Sequence, residues 1–183
     1  IVAAMATTLG KANGVADQYS IPNRFDNYDD MLGLRDLDAV ILATPTQIHA
    51  EQGLKAMASG KHVLIEIPMA DTLAHSEALV AKQKEIGLVA MAGHVRRFNP
   101  SHQWVHNKIV AGELSIQQMD IQTYFFRRTN MNAKGEPRSW TDHLLWHHAC
   151  HSIDLFRYQA GEDVTEVYAI QGPINRDLGI AMD

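Results

Sequence analysis

The sequence predicts an α/β protein in two parts: a parallel sheet interleaved with helices over residues 1–97, then the first part of an α/β segment with an open, mainly antiparallel sheet over 98–183. Three observations carry this reading. Short apolar runs alternate with helical periodicity through the first half, the pattern of parallel sheets. The connections between them are short, which implies right-handed crossovers. Beyond Pro100 the pattern changes to a long alternating stretch rich in aromatics and a helix rich in histidine.

In order, residues 1–6 read as a buried strand and 10–19 as a helix. Residues 21–25 form a turn segment, and Asp29-Asp30 cap a small helix. Residues 37–43 are the clearest strand, a near-continuous apolar run of the kind buried on both faces. Thr44-Pro45-Thr46 leads into a helix to about Ser59, closed by Gly60. Residues 63–65 form the next strand, and Pro68 halts it because a central strand cannot spare the amide. Thr72 caps a helix to Ile86, followed by a strand at 88–92. Past a boundary near 95–100, a helix spans 101–111 and an antiparallel strand 115–128. Residues 130–139 are a polar loop; 141–160 form one helix closed by Gly161, and 164–171 a last strand.

Composition narrows the function. At 183 residues, 46% hydrophobic and 20% charged, the chain has ample material for a core. A net charge of −5 speaks against a nucleic-acid partner. The single cysteine, Cys150, rules out an internal disulfide and suits a reducing, cytoplasmic location. No apolar run approaches the roughly 18 residues of a membrane span, so no membrane partner is expected. Residues 1–6 read as a strand already under way, without a signal peptide. The expectation is therefore a piece of a longer chain, with a glycine-rich phosphate loop lying before residue 1.

In parallel sheets ligands bind beyond the carboxyl ends of the strands. Those ends are Ala6-Thr7-Thr8, Thr44-Pro45-Thr46, Glu66-Ile67-Pro68 and Gly93-His94. A dinucleotide site often has an acidic residue after an early strand, where it binds the adenine ribose. Here Thr7 and Thr8 stand instead, which leans towards NADP, with hydroxyls at the 2′-phosphate; NAD stays possible.

The helix after Thr141 carries His143, His147, His151 and Asp154, spaced by four, four and three residues along one face. A solvated polar face is the bland reading. Three histidines with a carboxylate favour proton transfer, since a carboxylate one turn away fixes the tautomer of an imidazole. Zinc binding competes, because His at i and i+4 is a zinc spacing. The glutamate of His-Glu-x-x-His is missing and no second ligand cluster stands out, so no metal is assigned. Arg96-Arg97 and Arg127-Arg128 are either surface charge on snorkelling stems or bidentate partners of carboxylates. Beside the histidines they point to a small anionic substrate.

Thr44-Pro45-Thr46-x-x-His49, Gly60-Lys61-His62-Val63 with Glu66-x-Pro68, Arg96-Arg97-Phe98-Asn99-Pro100 and His151-x-x-Asp154 resemble the Gfo/Idh/MocA oxidoreductase family in order and spacing. The resemblance covers nearly the whole chain. It implies a Rossmann domain binding NAD or NADP and an α/β domain that supports the substrate and often a homo-oligomer interface, here a dimer. Thr44, Pro45, His49, Glu66 and Pro68 would line the cofactor, with Thr7 and Thr8 at the ribose. His151 would be the base, oriented by Asp154, with His147 as the alternative. Arg96, Arg97, Arg127, Arg128 and His94 would surround the substrate.

Family members typically carry Glu-Lys-Pro where this chain has Glu66-Ile67-Pro68. The wording of residues 66–71, 93–104 and 123–132 is similar to one branch, which uses NADP in aromatic-compound catabolism. That branch oxidises the cyclic hemiacetal of a dicarboxylate to a lactone. A hemiacetal hydroxyl is more acidic than a plain alcohol, so such a substrate needs less help from a lysine, and a histidine base suffices. The rival reading is a cofactor-sensing regulator or binding protein on the same scaffold.

Overall fold

The structure, a computed structural model, describes residues 1–124, 129, 131, 135–137, 144–177 and 180–181. The chain divides into two compact units, Ile1–Gly93 and His94–Asp183.

The first unit opens with strand β1 (Ala3–Met5), helix α1 (Leu9–Tyr19) and strand β2 (Asn23–Phe25). β1 and β2 pair in parallel, Ala3 with Asn23 and Met5 with Phe25. Within the expected turn at 21–25, residues 23–25 are therefore a strand. Its polar Asn23 and Arg24 hide that in sequence, and Asn23 earns its place by donating Nδ2–H to Val2 O at 2.9 Å. α1 starts at Thr8, whose Oγ1 accepts the Lys11 amide at 3.4 Å. Helix α2 (Tyr28–Leu32) is capped by Asn27 rather than by the aspartates. Asn27 Oδ1 accepts the amides of Asp29 at 2.9 Å and Asp30 at 3.1 Å. Asp29 and Asp30 occupy the first turn instead, where the helix dipole favours negative charge.

Strands β3 (Ala39–Leu42), β4 (His62–Ile65) and β5 (Ala90–Ala92) form a parallel sheet in that order, with helix α3 (Thr46–Ala58) and helix α4 (Leu73–Ile86) as crossovers. In register, Val40 faces Val63 and Leu42 faces Ile65. These four join Ala50, Ala56 and Met57 of α3 and Leu79 of α4 in one core. Burial of β3 alternates: Val40 is 4% exposed and Leu42 2%, but Ile41 is 70% exposed. The two-faced burial expected for residues 37–43 is thus not found; only the face under α3 and α4 is covered. Thr72 caps α4 as expected, accepting the His75 amide at 3.1 Å, and Gly87 closes it at φ 69°.

Gly53 explains how closely α3 approaches. A Cβ there would sit 2.8 Å from Leu79 Cδ2 and 2.9 Å from Ile65 Cδ1, so any larger residue requires those side chains to shift. His62, on β4, accepts the Val89 amide on Nδ1 at 2.9 Å, just ahead of β5.

The second unit begins with a 3-10 turn (Val95–Phe98) and helix α5 (Pro100–Val110), capped by Asn99 and started by Pro100. Helix α6 (Leu144–His147) and helix α7 (Ala149–Ala160) follow, then a two-stranded antiparallel ladder of β6 (Ile174–Asn175) and β7 (Ile180–Ala181). Three expectations change here. The helix expected at 141–160 breaks at His148 into α6 and α7; residues 141–143, with His143, lie outside the described residues. Residues 115–124 form no strand, and 125–128 lie outside the described residues. Residues 164–171 form no strand either. Alternation makes a strand possible, but a ladder partner makes it real. Tyr124 at 88% exposure and Tyr168 at 85% pair with no strand among the described residues. No described helix is long and apolar enough to cross a membrane.

Candidate active site

Two constellations form, one in each unit. In the first unit the carboxyl ends of β1, β3 and β4 carry the residues expected at a dinucleotide. Thr7 and Thr8 are exposed after β1. Lys11, three residues into α1, sets its Nζ 3.4 Å from Thr7 Oγ1. A cation, two hydroxyls and a capped helix N-terminus without a carboxylate suit an anionic group at this end. Lys11 was not legible as part of this end from the sequence, because it lies inside the helix that follows the threonines.

After β3, Thr44 is half-buried and Pro45 exposed. Thr44 Oγ1 donates to Gln52 Oε1 at 2.7 Å, and Tyr28 donates its hydroxyl to Gln52 O at 2.9 Å. Burial, helped by the charge of Asp29, pushes the Tyr28 hydroxyl far above its ordinary value and keeps it a donor. Gln52 was also missed; its place three residues after His49, on the same helix face, was the available signal. His49 is 2% exposed, with its ring between the carbonyls of Thr44 and Pro68. It supports the loops from behind rather than facing solvent.

After β4, Glu66 is exposed, Ile67 half-buried and Pro68 buried. Glu66 Oε2 accepts the Ile67 amide at 2.8 Å. The Ile67–Pro68 peptide is cis. Gly93 closes the unit by donating its amide to Ile65 O at 2.8 Å. A Cβ on Gly93 would lie 3.2 Å from Glu66 Oε2 and 3.3 Å from Ile65 O, so the close approach of the two backbones depends on glycine.

In the second unit Asp154 of α7 is the anchor, with a side chain 9% exposed. Arg97 grips it in bidentate fashion: Nε lies 2.9 Å from Oδ2 and Nη2 2.5 Å from Oδ1. These hydrogen bonds raise the Arg97 guanidinium above its already high value. His94 Nδ1 lies 3.5 Å from Asp154 Oδ2. Arg97 also stands 5.2 Å above the Tyr158 ring, which stacks on His106 at 3.9 Å. Arg96 is engaged more lightly, donating Nη1–H to Ser152 Oγ at 3.4 Å. His102 Nδ1 lies 2.9 Å from Arg96 O, and Gln159 Nε2 donates to His102 O at 2.9 Å.

The structure therefore brings His94, Arg97 and Asp154 together, with Arg96 beside Ser152. His151 lies half-buried in the first turn of α7, one turn from Asp154. His147 is exposed at the end of α6, its ring 5.0 Å from that of His148. Because the helix breaks at His148, the histidines do not share a single helical stripe. Arg127 and Arg128 lie outside the described residues. No group of three or more metal-ligating side chains occurs among the described residues.

Comparison with known proteins agrees with this architecture. Residues 1–94 match the oxidoreductase family with an NAD-binding Rossmann fold (Gfo/Idh/MocA), and residues 100–183 match the C-terminal domain of bacterial oxidoreductases. The chain is 60% identical over 183 residues to 4-carboxy-2-hydroxymuconate-6-semialdehyde dehydrogenase of a Sphingobium species, covering 100% of this chain and 58% of that protein. It is 28% identical to scyllo-inositol 2-dehydrogenase (NAD(+)) of Bacillus subtilis over 161 residues, 86% of this chain and 45% of that one. The chain thus spans about half the length of these relatives. A probable dehydrogenase from Thermotoga maritima superposes with a TM-score of 0.76 at 16% identity, over 98% of this chain and 54% of that one, a likeness of fold. A 3-ketoreductase from Actinomadura kijaniata, solved in complex with TDP-benzene and NADP, superposes with a TM-score of 0.56 at 28% identity, over 61% of this chain and 35% of that one. With a Rossmann-type unit matched along its length and an oxidoreductase segment after it, this chain belongs to the Gfo/Idh/MocA oxidoreductase family.

Proposed function

We propose that the protein carrying this chain is an NADP-dependent dehydrogenase. Its substrate is the cyclic hemiacetal of 4-carboxy-2-hydroxymuconate-6-semialdehyde, and its product is 2-pyrone-4,6-dicarboxylate. The observation that carries this is the 60% identity, along the whole chain, to the dehydrogenase of that name. Residues 1–97 bind the dinucleotide and 98–183 begin the substrate part, in a cytoplasmic homodimer. NADP is favoured over NAD by Lys11 beside Thr7 and Thr8, which suit a 2′-phosphate.

The bound cofactor supplies the hydride acceptor. The remaining work falls to side chains. His151 takes the proton from the hemiacetal hydroxyl, with His147 as the alternative base. Arg96 has the freer guanidinium and takes a substrate carboxylate, with Arg127 and Arg128 as further candidates. Arg97 is committed to Asp154, so it presents at most its remaining edge to the substrate. Asp154 holds Arg97 and His94 in place, and through α7 fixes where His151 stands. Ile67 leaves the site without the usual lysine; a hemiacetal tolerates this.

The test is His151→Ala in the full-length protein, expected to lower kcat by about 10²- to 10⁴-fold. Near-normal turnover at saturating substrate would remove His151 from the reaction. Ile67 also favours a second reading, a sensor that binds NADP without turning over. Tight NADP binding with no NADPH absorbance change on adding the hemiacetal would select it.

A further inference from the structure

Tyr158 has no part in the chemistry proposed above, yet it lies against one of its charged groups. Asp154 and Tyr158 stand four residues apart on α7, on the same side of the helix. Arg97 lies across both. Asp154 takes its edge, with Nε 2.9 Å from Oδ2 and Nη2 2.5 Å from Oδ1. Tyr158 takes its face: the guanidinium carbon stands 5.2 Å from the ring centroid. That is within the roughly 6 Å over which a cation is drawn to the negative face of an aromatic ring. The Tyr158 ring is fixed in turn from α5, where His106 stacks on it at 3.9 Å with 16° between the planes. Its hydroxyl makes no hydrogen bond among the described residues, so the ring is what this side chain supplies.

Counting donors shows what this leaves of Arg97. Nε carries one N–H and each Nη two. Asp154 uses the Nε–H and one Nη2–H. The second Nη2–H and an Nη1–H remain, parallel to each other along the end of the group, and a planar fork of that shape matches a carboxylate. No hydrogen bond engages this end among the described residues, and 42% of the side chain is exposed. Two hydrogen bonds along one edge still let a guanidinium rock about that edge. A ring packed on its face stops the rocking, and so sets where the fork points.

We propose that Tyr158 is a positioning residue for substrate binding: its ring, packed on the face of Arg97, holds the remaining end of the guanidinium as a fork for one substrate carboxylate. The carboxylate rests on the dicarboxylate reading above; the packing of ring on guanidinium does not.

Steady-state kinetics of the full-length protein with the hemiacetal, at saturating NADP⁺, test the role. Tyr158→Leu is expected to raise KM about fivefold, the worth of one cation–π contact. Its kcat should stay within about twofold of wild type, because the fork holds substrate and transition state alike. Tyr158→Phe keeps the ring and should keep the wild-type KM. An unchanged KM in Tyr158→Leu overturns the proposal, as does a loss confined to kcat. A Tyr158→Phe variant as impaired as Tyr158→Leu overturns it too. If thermal unfolding shows that Tyr158→Leu has lost its fold, Tyr158→Met, also without a ring, takes its place with the same expectation. The contact itself is read without a variant, from nuclear Overhauser cross-peaks between the Tyr158 ring protons and the Arg97 side chain in the wild-type protein. Their absence overturns the positioning role. A wild-type protein that does not oxidise the hemiacetal refutes the substrate reading instead, and the cross-peaks then decide the packing alone.

Discussion

In the first unit Val40, Leu42, Met57, Val63, Ile65 and Leu79 are each 4% exposed or less, packed between one sheet and two helices. Among the described residues of the second unit, Leu155 is the one buried apolar side chain, and its buried neighbours in α7 are Asp154 and Gln159. The first unit is therefore held by area removed from water, which is forgiving of direction. The described part of the second is held by directed contacts: Asp154 to Arg97, Gln159 to His102, Tyr158 to His106. The contrast fits the proposed division of labour. A dinucleotide floor benefits from a stiff apolar base, while substrate chemistry needs charges whose geometry a few partners can set. His49 is the exception in the apolar unit, and it lies directly behind the loops that would meet a ligand.

This contrast can be broken. Leu79→Ala truncates a side chain 2% exposed in the core of the first unit and should cost about 3 kcal/mol. A denaturant titration checks it; a cost below 1 kcal/mol by the same scale would mean the core collapses easily and is not stiff. Asp154→Asn removes the charge that Arg97 grips, and should cost about 2 kcal/mol while lowering turnover. Loss of turnover with unchanged stability would show that the pair serves chemistry alone.

Gly53→Ala sharpens the packing argument. The new methyl meets the terminal methyls of Leu79 and Ile65, both 2% exposed, and they must shift to admit it. Overpacking of about 1–3 kcal/mol is partly offset by about 1 kcal/mol of helix propensity, so a net loss of about 1 kcal/mol is expected in the same titration. A gain in stability would show that α3 can back away from the sheet.

The smallest effect concerns pH. Burial pushes the Cys150 thiol above its ordinary value, so the folded protein holds that proton more tightly than the unfolded chain. Stability is then fully present below the unfolded thiol pKa and declines as pH rises from there through the folded value. Comparing urea midpoints of wild type and Cys150→Ala across mildly alkaline pH should show the decline only in wild type.

Local patterning was enough for the strand–helix alternation of residues 1–93, for Thr72 as a cap, for Gly161 as a helix end, and for the family itself. Each of these depends on neighbours a few residues away: period, capping oxygen, positive φ. Where a partner lies far along the chain, the pattern was silent or misleading. Asn23–Phe25 is a strand because Ala3–Met5 lies beside it, whereas residues 115–124 form no strand and have no ladder partner among the described residues. Spacing pairs Asp154 with His151, one turn away; the bidentate grip of Arg97, fifty-seven residues distant, on this carboxylate has no local signal. His49 read as a cofactor-lining residue because its motif sits at a strand end; its 2% exposure, set by how α3 packs on the sheet, turned it inward to the backbone. Hydrogen-bond choice among distant groups follows from burial, and burial follows from packing.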